Sequence, residues 1–272
     1  MAPTHDFMED WGGRAPKGGS ASTPGTTVTP GGDMSPGAAP TEGSLVAPVL
    51  VVFDIDGTLI DGAGAGRLAM DQAFERVFGV YAAGQGVATA GRTDLDIFSA
   101  MAAKARVPLH ATAISRLLPQ YIEALRQALV TRSALLLPGA DELVAALAQD
   151  PRCRLALGTE NIAAAARVKL THFGLQRYFP AGGFGDDSAQ HPAVIAAALH
   201  EAARHYGIGF DPATAVVVGD SARDVEAARA NRMRVMAVGT GQEGPGPVAA
   251  ARPDVMFPDL TDGRRIRAWL LD

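Results

Sequence analysis

The chain has 272 residues, 47% hydrophobic and 19% charged, the balance of a globular protein with one or two domains and a sizeable core. Its formal net charge of −5 lacks the basic footprint of a nucleic-acid binder, and no apolar run approaches the ~20 residues that cross a bilayer. A single cysteine, Cys153, excludes an internal disulfide and, with no basic-then-apolar leader at the start, places the expected location in the cytoplasm.

Residues 1–46 differ in kind from the rest. Seven of the 18 prolines and nine of the 31 glycines precede Val49, without apolar periodicity. Such a segment buries too little surface to offset chain entropy, so a disordered tail is expected. At Val49 the run "VLVVF" begins and leads directly into Asp54, Ile55, Asp56 and Gly57. A continuous apolar run of this length suits a strand covered on both faces, as in a parallel sheet.

Residues 62–138 read as helical throughout. Met70, Phe74, Val77 and Phe78 share one stripe, and Leu95, Phe98, Met101 and Ala102 a second. The third and longest holds Ile114, Leu117, Leu118, Tyr121, Ile122, Leu125 and Leu129. "GAGAG" (62–66) lacks the G-x-G-x-x-G spacing of a dinucleotide loop and reads as a hinge into this insert. "LLLPGA" (135–140) returns the chain to the sheet.

Further short apolar runs follow at 154–158, 215–219 and 235–238, separated by helical patterns such as Ala140, Leu143, Val144 and Leu147. Val194, Ile195, Ala198, Leu199 and Ala202 form another, and Val225 with Ala228 a shorter one. Alternation of strand and helix implies right-handed βαβ units. The expected fold is therefore α/β, a doubly wound parallel sheet with an all-helical cap. Residues 47–61 and 139–272 form the core and 62–138 the cap, poised over the carboxyl ends of the strands, where open sheets bind ligands. His172, His200 and His205 fall in helical patterns without zinc-site spacing and read as surface groups, and Trp269 as an anchor for the last helix.

Asp54 closes the first strand, and Asp56 follows at i+2, on the same side of an extended segment. Asp220 directly follows "AVVVG". Three carboxylates at one rim repel each other unless a cation lies between them, and all-oxygen ligands suit a hard ion, Mg²⁺ above all. The competing reading makes these acids turn formers and helix caps. Thr159 follows "RLALG", where its hydroxyl and the Glu160 amide could meet a phosphoryl oxygen; alternatively Thr159 caps a helix beginning near Ile162.

"FDIDGTLID" (53–61), "LALGTEN" (155–161) and "VVVGDSARDVEAARA" (216–230) resemble, in order and spacing, the first, second and fourth motifs of the haloacid dehalogenase superfamily. The position of the insert resembles the helical cap of phosphoglycolate phosphatase-like members. The resemblance implies a Mg²⁺-dependent phosphatase acting on a small phosphorylated metabolite, as a monomer or homodimer. Asp54 would be the nucleophile and Asp56 the acid and base. The Asp54 carboxylate, the Asp56 carbonyl and Asp220 would hold the metal, with Asp224 in support. Thr159 would orient the phosphoryl group, and Gly57 would permit the tight turn after the acids.

"GRTDLD" (91–96) resembles a cap segment that meets the substrate, through Arg92 and Asp94; the alternative is a cap-to-core tie or a helix cap. The family's third motif supplies a lysine, usually before a proline. Here the matching stretch carries His191 before Pro192. Two readings stay open: His191 stands in as the cation, or it is a surface residue and the cation is absent or comes from Arg223. Two further functions share these residues, a phosphomutase and a weakly active or non-catalytic phosphate-ester-binding protein. "GDSARD" in place of a mutase-like "EDS-x-A-G" favours hydrolysis.

Overall fold

A computed structural model describes residues 47–272, so the tail expected over 1–46 lies outside the described residues. Strand β1 (Val49–Phe53) has Leu50 to Phe53 fully buried, as its unbroken apolar run requires. It sits at the centre of a six-stranded sheet with β4 (Cys153–Gly158), β5 (Gly182–Gly183), β6 (Val216–Gly219), β7 (Arg234–Val238) and β8 (Val255–Phe257). The order is β5-β4-β1-β6-β7-β8, and every pairing is parallel. From β1 the chain winds outward through β4 and β5, then returns to the other side through β6, β7 and β8. The winding reverses between β1 and β6, the switch point at which such sheets bind ligands. Phe53 pairs with Val218, and the Asp54 N–H donates to the Val218 carbonyl at 2.9 Å. That register brings Asp54 and Asp220 to the same rim.

Between β1 and β4 lie a small antiparallel pair and four helices. β2 (Ile60–Asp61) pairs with β3 (Leu135–Leu136), so the two ends of the insert stand side by side. From it rise α1 (Ala65–Phe78), α2 (Asp94–Ala105) and α3 (Ala111–Thr131); α4 (Ala140–Ala148) follows β3. The stripes expected from sequence pack together: Met70, Phe74, Phe98, Met101, Leu117, Tyr121, Leu125 and Leu129 share one apolar cluster. The Phe98 and Tyr121 rings meet edge to face at 5.3 Å.

The same cluster takes in Ile162, Ala165 and Val168 of the segment around α5 (Ala163–His172). Helix α5 thus serves the core by its position after β4 and the cap by its apolar face. One face of the sheet is covered by α6 (His191–Tyr206) and α7 (Ala222–Ala230), which contribute Ile195, Ala198, Val225 and Ala228 to a second cluster with Leu50, Val52 and Val217.

The chain closes with α8 (Pro245–Ala250) and α9 (Gly263–Leu271). Ile266 and Leu270 anchor α9, whereas Trp269 is only partly covered and stacks under the Arg234 guanidinium at 4.2 Å. His172, His200 and His205 are exposed, as expected. No described helix is long and apolar enough to cross a membrane.

Candidate active site

A cavity of about 400 Å³ opens between the carboxyl end of the sheet and the helical insert. Asp54 and Asp220 line its floor. Gly57 makes the turn after β1 at φ +85°, in the left-handed region that glycine enters without penalty. A Cβ there would collide with the Asp220 carboxylate, so the turn and the acid share one space. Thr240 Oγ1 donates to the Gly57 carbonyl at 2.6 Å, and Thr58 Oγ1 donates to Asp220 Oδ1 at 3.1 Å.

Carboxylate oxygens of Asp54, Asp220 and Asp224 lie within 4.8 Å of one another. Asp224 arrives from the first turn of α7 through a capping box. Its Oδ2 accepts from the Ser221 N–H at 3.0 Å and from Ser221 Oγ at 2.6 Å, and its own N–H donates back to Ser221 Oγ. Burial drives the Asp54 carboxyl well above its usual range, reinforced by the charges of Asp224, Asp220 and Asp56. Burial and the Asp224 charge push Asp220 up to about 7. Burial acts the same way on Asp224, yet the hydrogen bond and charge of His191 outweigh it and hold Asp224 below the usual range. Three acids this close, two of them forced toward the neutral form, make a strained set that a divalent cation would relieve. Oxygen-only donors fit a hard ion such as Mg²⁺.

The carboxylate trio differs from expectation in one member. Asp56 lies outside the group of carboxylates whose oxygens come within 4.8 Å of one another. Its Oδ2 accepts from Asn161 Nδ2 at 2.8 Å and from Lys169 Nζ, and the trio is completed by Asp224 instead. The reason is local: after Phe53 the chain leaves the extended ladder for the Gly57 turn, so the i and i+2 side chains lose their common direction.

Neither reading of His191 holds. It is not a surface residue, being 4% exposed. As the first residue of α6 its Nε2 meets Asp224 Oδ1 at 2.9 Å, and its Nδ1 stands 3.7 Å from Glu160 Oε1. Burial alone would lower its pKa; Asp224 and Glu160 reverse this and raise it. Its charge therefore serves Asp224. Arg223 is likewise committed, to the Glu160 carboxylate and the Gly91 carbonyl.

A buried cation that the sequence reading did not single out is Lys169, on α5, which pairs with Asp56. It is 5% exposed, lines the cavity, and donates to Asp56 Oδ2 and Asn161 Oδ1. Its signal was weak: one of only three lysines, flanked by Val168 and Leu170 on an alanine-rich helix. A buried lysine needs a carboxylate partner.

Thr159 is fully buried on the cavity wall, where its Oγ1 accepts from Asn161 Nδ2 at 3.1 Å. It does not cap α5: Ile162 holds that position, without a side-chain bond. Glu160 lines the cavity beside it. Arg92 is exposed at the cavity mouth. Asp94 is buried and ties cap to core: Oδ2 accepts from the Ile162 N–H at 2.9 Å and Oδ1 from the Tyr121 hydroxyl at 3.2 Å. It is not the helix cap, which is Thr93.

The sequence model of the family described as haloacid dehalogenase-like hydrolase matches residues 51–238. A curated relative, the phosphoglycolate phosphatase of Nitrosococcus oceani, is 26% identical over 235 residues, covering 80% of this chain and 96% of its own. Among solved structures, a predicted phosphoglycolate phosphatase from Haemophilus somnus 129PT is 22% identical with a TM-score of 0.58, over 82% of this chain and all of its own. A putative β-phosphoglucomutase from Thermotoga maritima is 18% identical with a TM-score of 0.54, over 81% of this chain and 99% of its own. These two structures share the fold described above.

Proposed function

The chain belongs to the haloacid dehalogenase-like hydrolase family, and from that membership we propose that it is a Mg²⁺-dependent phosphatase acting on a small phosphomonoester. The observation that carries this reading is the gathering of Asp54, Asp220 and Asp224 at the switch point of the sheet, beneath a cavity of about 400 Å³. Asp54 attacks phosphorus, and the leaving oxygen departs with the electron pair of the broken P–O bond and a proton from Asp56. Water then displaces the Asp54 carboxylate from the aspartyl-phosphate, giving its proton to Asp56 and releasing inorganic phosphate. The Thr159 hydroxyl and the Glu160 N–H orient the phosphoryl oxygens. The site's oxygens would hold the metal, whose charge neutralises the phosphoryl group. Arg92 faces the ester's remaining part from the cap.

The same reading makes the partner a small phosphorylated metabolite, the chain a monomer or homodimer, and the location the cytoplasm, where the buried free thiol of Cys153 stays reduced. Phosphoglycolate, which the curated relative's name specifies, heads the substrate panel. Purified protein with Mg²⁺ should hydrolyse p-nitrophenyl phosphate or a small alkyl phosphate, and either EDTA or Asp54→Asn should abolish release of inorganic phosphate. Turnover that survives Asp54→Asn would remove the nucleophile from the scheme. A glucose 1-phosphate to glucose 6-phosphate conversion without net phosphate release would assign mutase chemistry instead.

A further inference from the structure

We propose that Lys169 and Asn161 form a clamp on one oxygen of Asp56, leaving Asp56 Oδ1 as the oxygen that exchanges the proton with the leaving group. The inference deepens the phosphatase reading and rests on it. Both donors converge on Oδ2: Asn161 Nδ2 at 2.8 Å, and Lys169 Nζ in direct contact. Oδ1 has no donor among the described residues. The Asp56 side chain is 44% exposed and lines the cavity, so Oδ1 is open to a ligand there.

The clamp is itself held rigidly. Lys169 Nζ donates a second bond to Asn161 Oδ1, and Asn161 Nδ2 donates a second bond to Thr159 Oγ1. The amide orientation follows from these partners, since its oxygen faces the ammonium and its nitrogen faces two acceptors. Val168 and Leu170 flank Lys169 in the packed part of α5, which fixes the backbone that carries it. A flexible surface acid would sample several rotamers. One oxygen pinned by two donors, one of them charged, restricts the carboxyl group to a single orientation.

During phosphoryl transfer the proton on Oδ1 passes to the leaving oxygen, which also takes the electron pair of the broken P–O bond. The Asp56 carboxylate left behind keeps both donors on Oδ2. In hydrolysis of the aspartyl-phosphate, Oδ1 recovers a proton from the attacking water. Lys169 is a positioning residue in this scheme, because it acts on the reaction through Asp56.

The leaving group separates the clamp from a direct phosphoryl contact by Lys169. p-Nitrophenolate leaves with little need of a proton, whereas an alkoxide requires one. We therefore compare kcat/KM, which reports the first phosphoryl transfer, for p-nitrophenyl phosphate and for a primary alkyl phosphate that the wild type turns over. Lys169→Met should lower the alkyl value on the order of 10²-fold or more, the range general acid catalysis supplies, and the p-nitrophenyl value by less than about tenfold. Lys169→Arg should recover part of the alkyl activity. Asn161→Ala, which removes one donor from Oδ2 and retains the lysine, should show the same skew and guards against a misfolded lysine variant. Equal losses on both substrates, or no loss on either, overturn the clamp. Retained turnover in Asp54→Asn would overturn the aspartyl-phosphate reading instead, so the two failures are distinguishable.

Discussion

Removing the His191 imidazole would leave Asp224 Oδ1 without its partner at 2.9 Å. The burial that works to raise the Asp224 pKa would then be opposed only by the Ser221 bonds. Removing an outer partner that orients a metal-site carboxylate typically costs about 10–100-fold in affinity. His191→Ala should therefore weaken Mg²⁺ binding by about that factor, read as a rightward shift of the Mg²⁺ activation curve with kcat at saturating metal much less affected. An unchanged curve would show that the imidazole is a packing residue. Gly57→Ala tests the neighbouring turn. It combines a left-handed φ of +85° with a collision against Asp220, so stability should fall by at least ~1 kcal/mol in urea titration and activity should fall with it. At this scale the legible residues were those that end apolar runs, because a strand that dies in an acid announces where the acid stands. Lys169 was not read, since its partner Asp56 lies 113 positions away and an alanine-rich helix gives no clear account of which face is inward. The exchange of Asp56 for Asp224 in the carboxylate trio depended on one backbone turn, which residue spacing does not encode.

Helix α5 is the element on which cap and core meet. At its start the Ile162 N–H donates to Asp94, a cap residue, at 2.9 Å, and further along Lys169 reaches Asp56. Burial raises the Asp94 carboxyl to about 6, against the opposing pull of the Lys169 charge and of the bonds from Ile162 and Tyr121. The unfolded chain would have this acid near ~3.9. Between those values the folded state binds the extra proton, so the Asp94 contribution to stability is greatest below about 4 and is lost as pH rises to about 6, then stays level. The stability of the wild type minus that of Asp94→Asn should fall by on the order of 1–3 kcal/mol across that window. Denaturant midpoints at pH 4, 5, 6 and 7 measure it, and a flat difference would show that the tie is insensitive to protonation. Elements with strong apolar periodicity, such as α3 and β1, were legible. β5 was not, because Gly182–Gly183 has no side chains to form a pattern. β8, three residues in a polar stretch, is held as a strand by pairing with β7.

At the scale of the molecule, the helical insert is part of the core's packing. Ile162, Ala165 and Val168 are buried in the same apolar cluster as Phe74, Leu117 and Leu125. An insert that only hinged over the site could be removed without consequence for the sheet. This one could be excised cleanly, because Asp61 pairs with Leu135 and a short Gly/Ser turn would close the gap. Excision of residues 62–134 would nonetheless bare Ile162 and Val168, each worth about 1.5–3 kcal/mol when buried. It would also strip the Ile162 N–H of its acceptor, Asp94. The trimmed chain should melt well below the full protein, bind a hydrophobic dye, and self-associate through the bared helix face. Adding Ile162→Ser and Val168→Lys should restore solubility, since these changes make the newly exposed face polar without touching Asp54, Asp220 or Asp224. If the trimmed chain instead matched the full protein in melting temperature and remained dispersed, α5 would belong to the sheet alone, and cap movement would be free of the cluster that now ties it to the core.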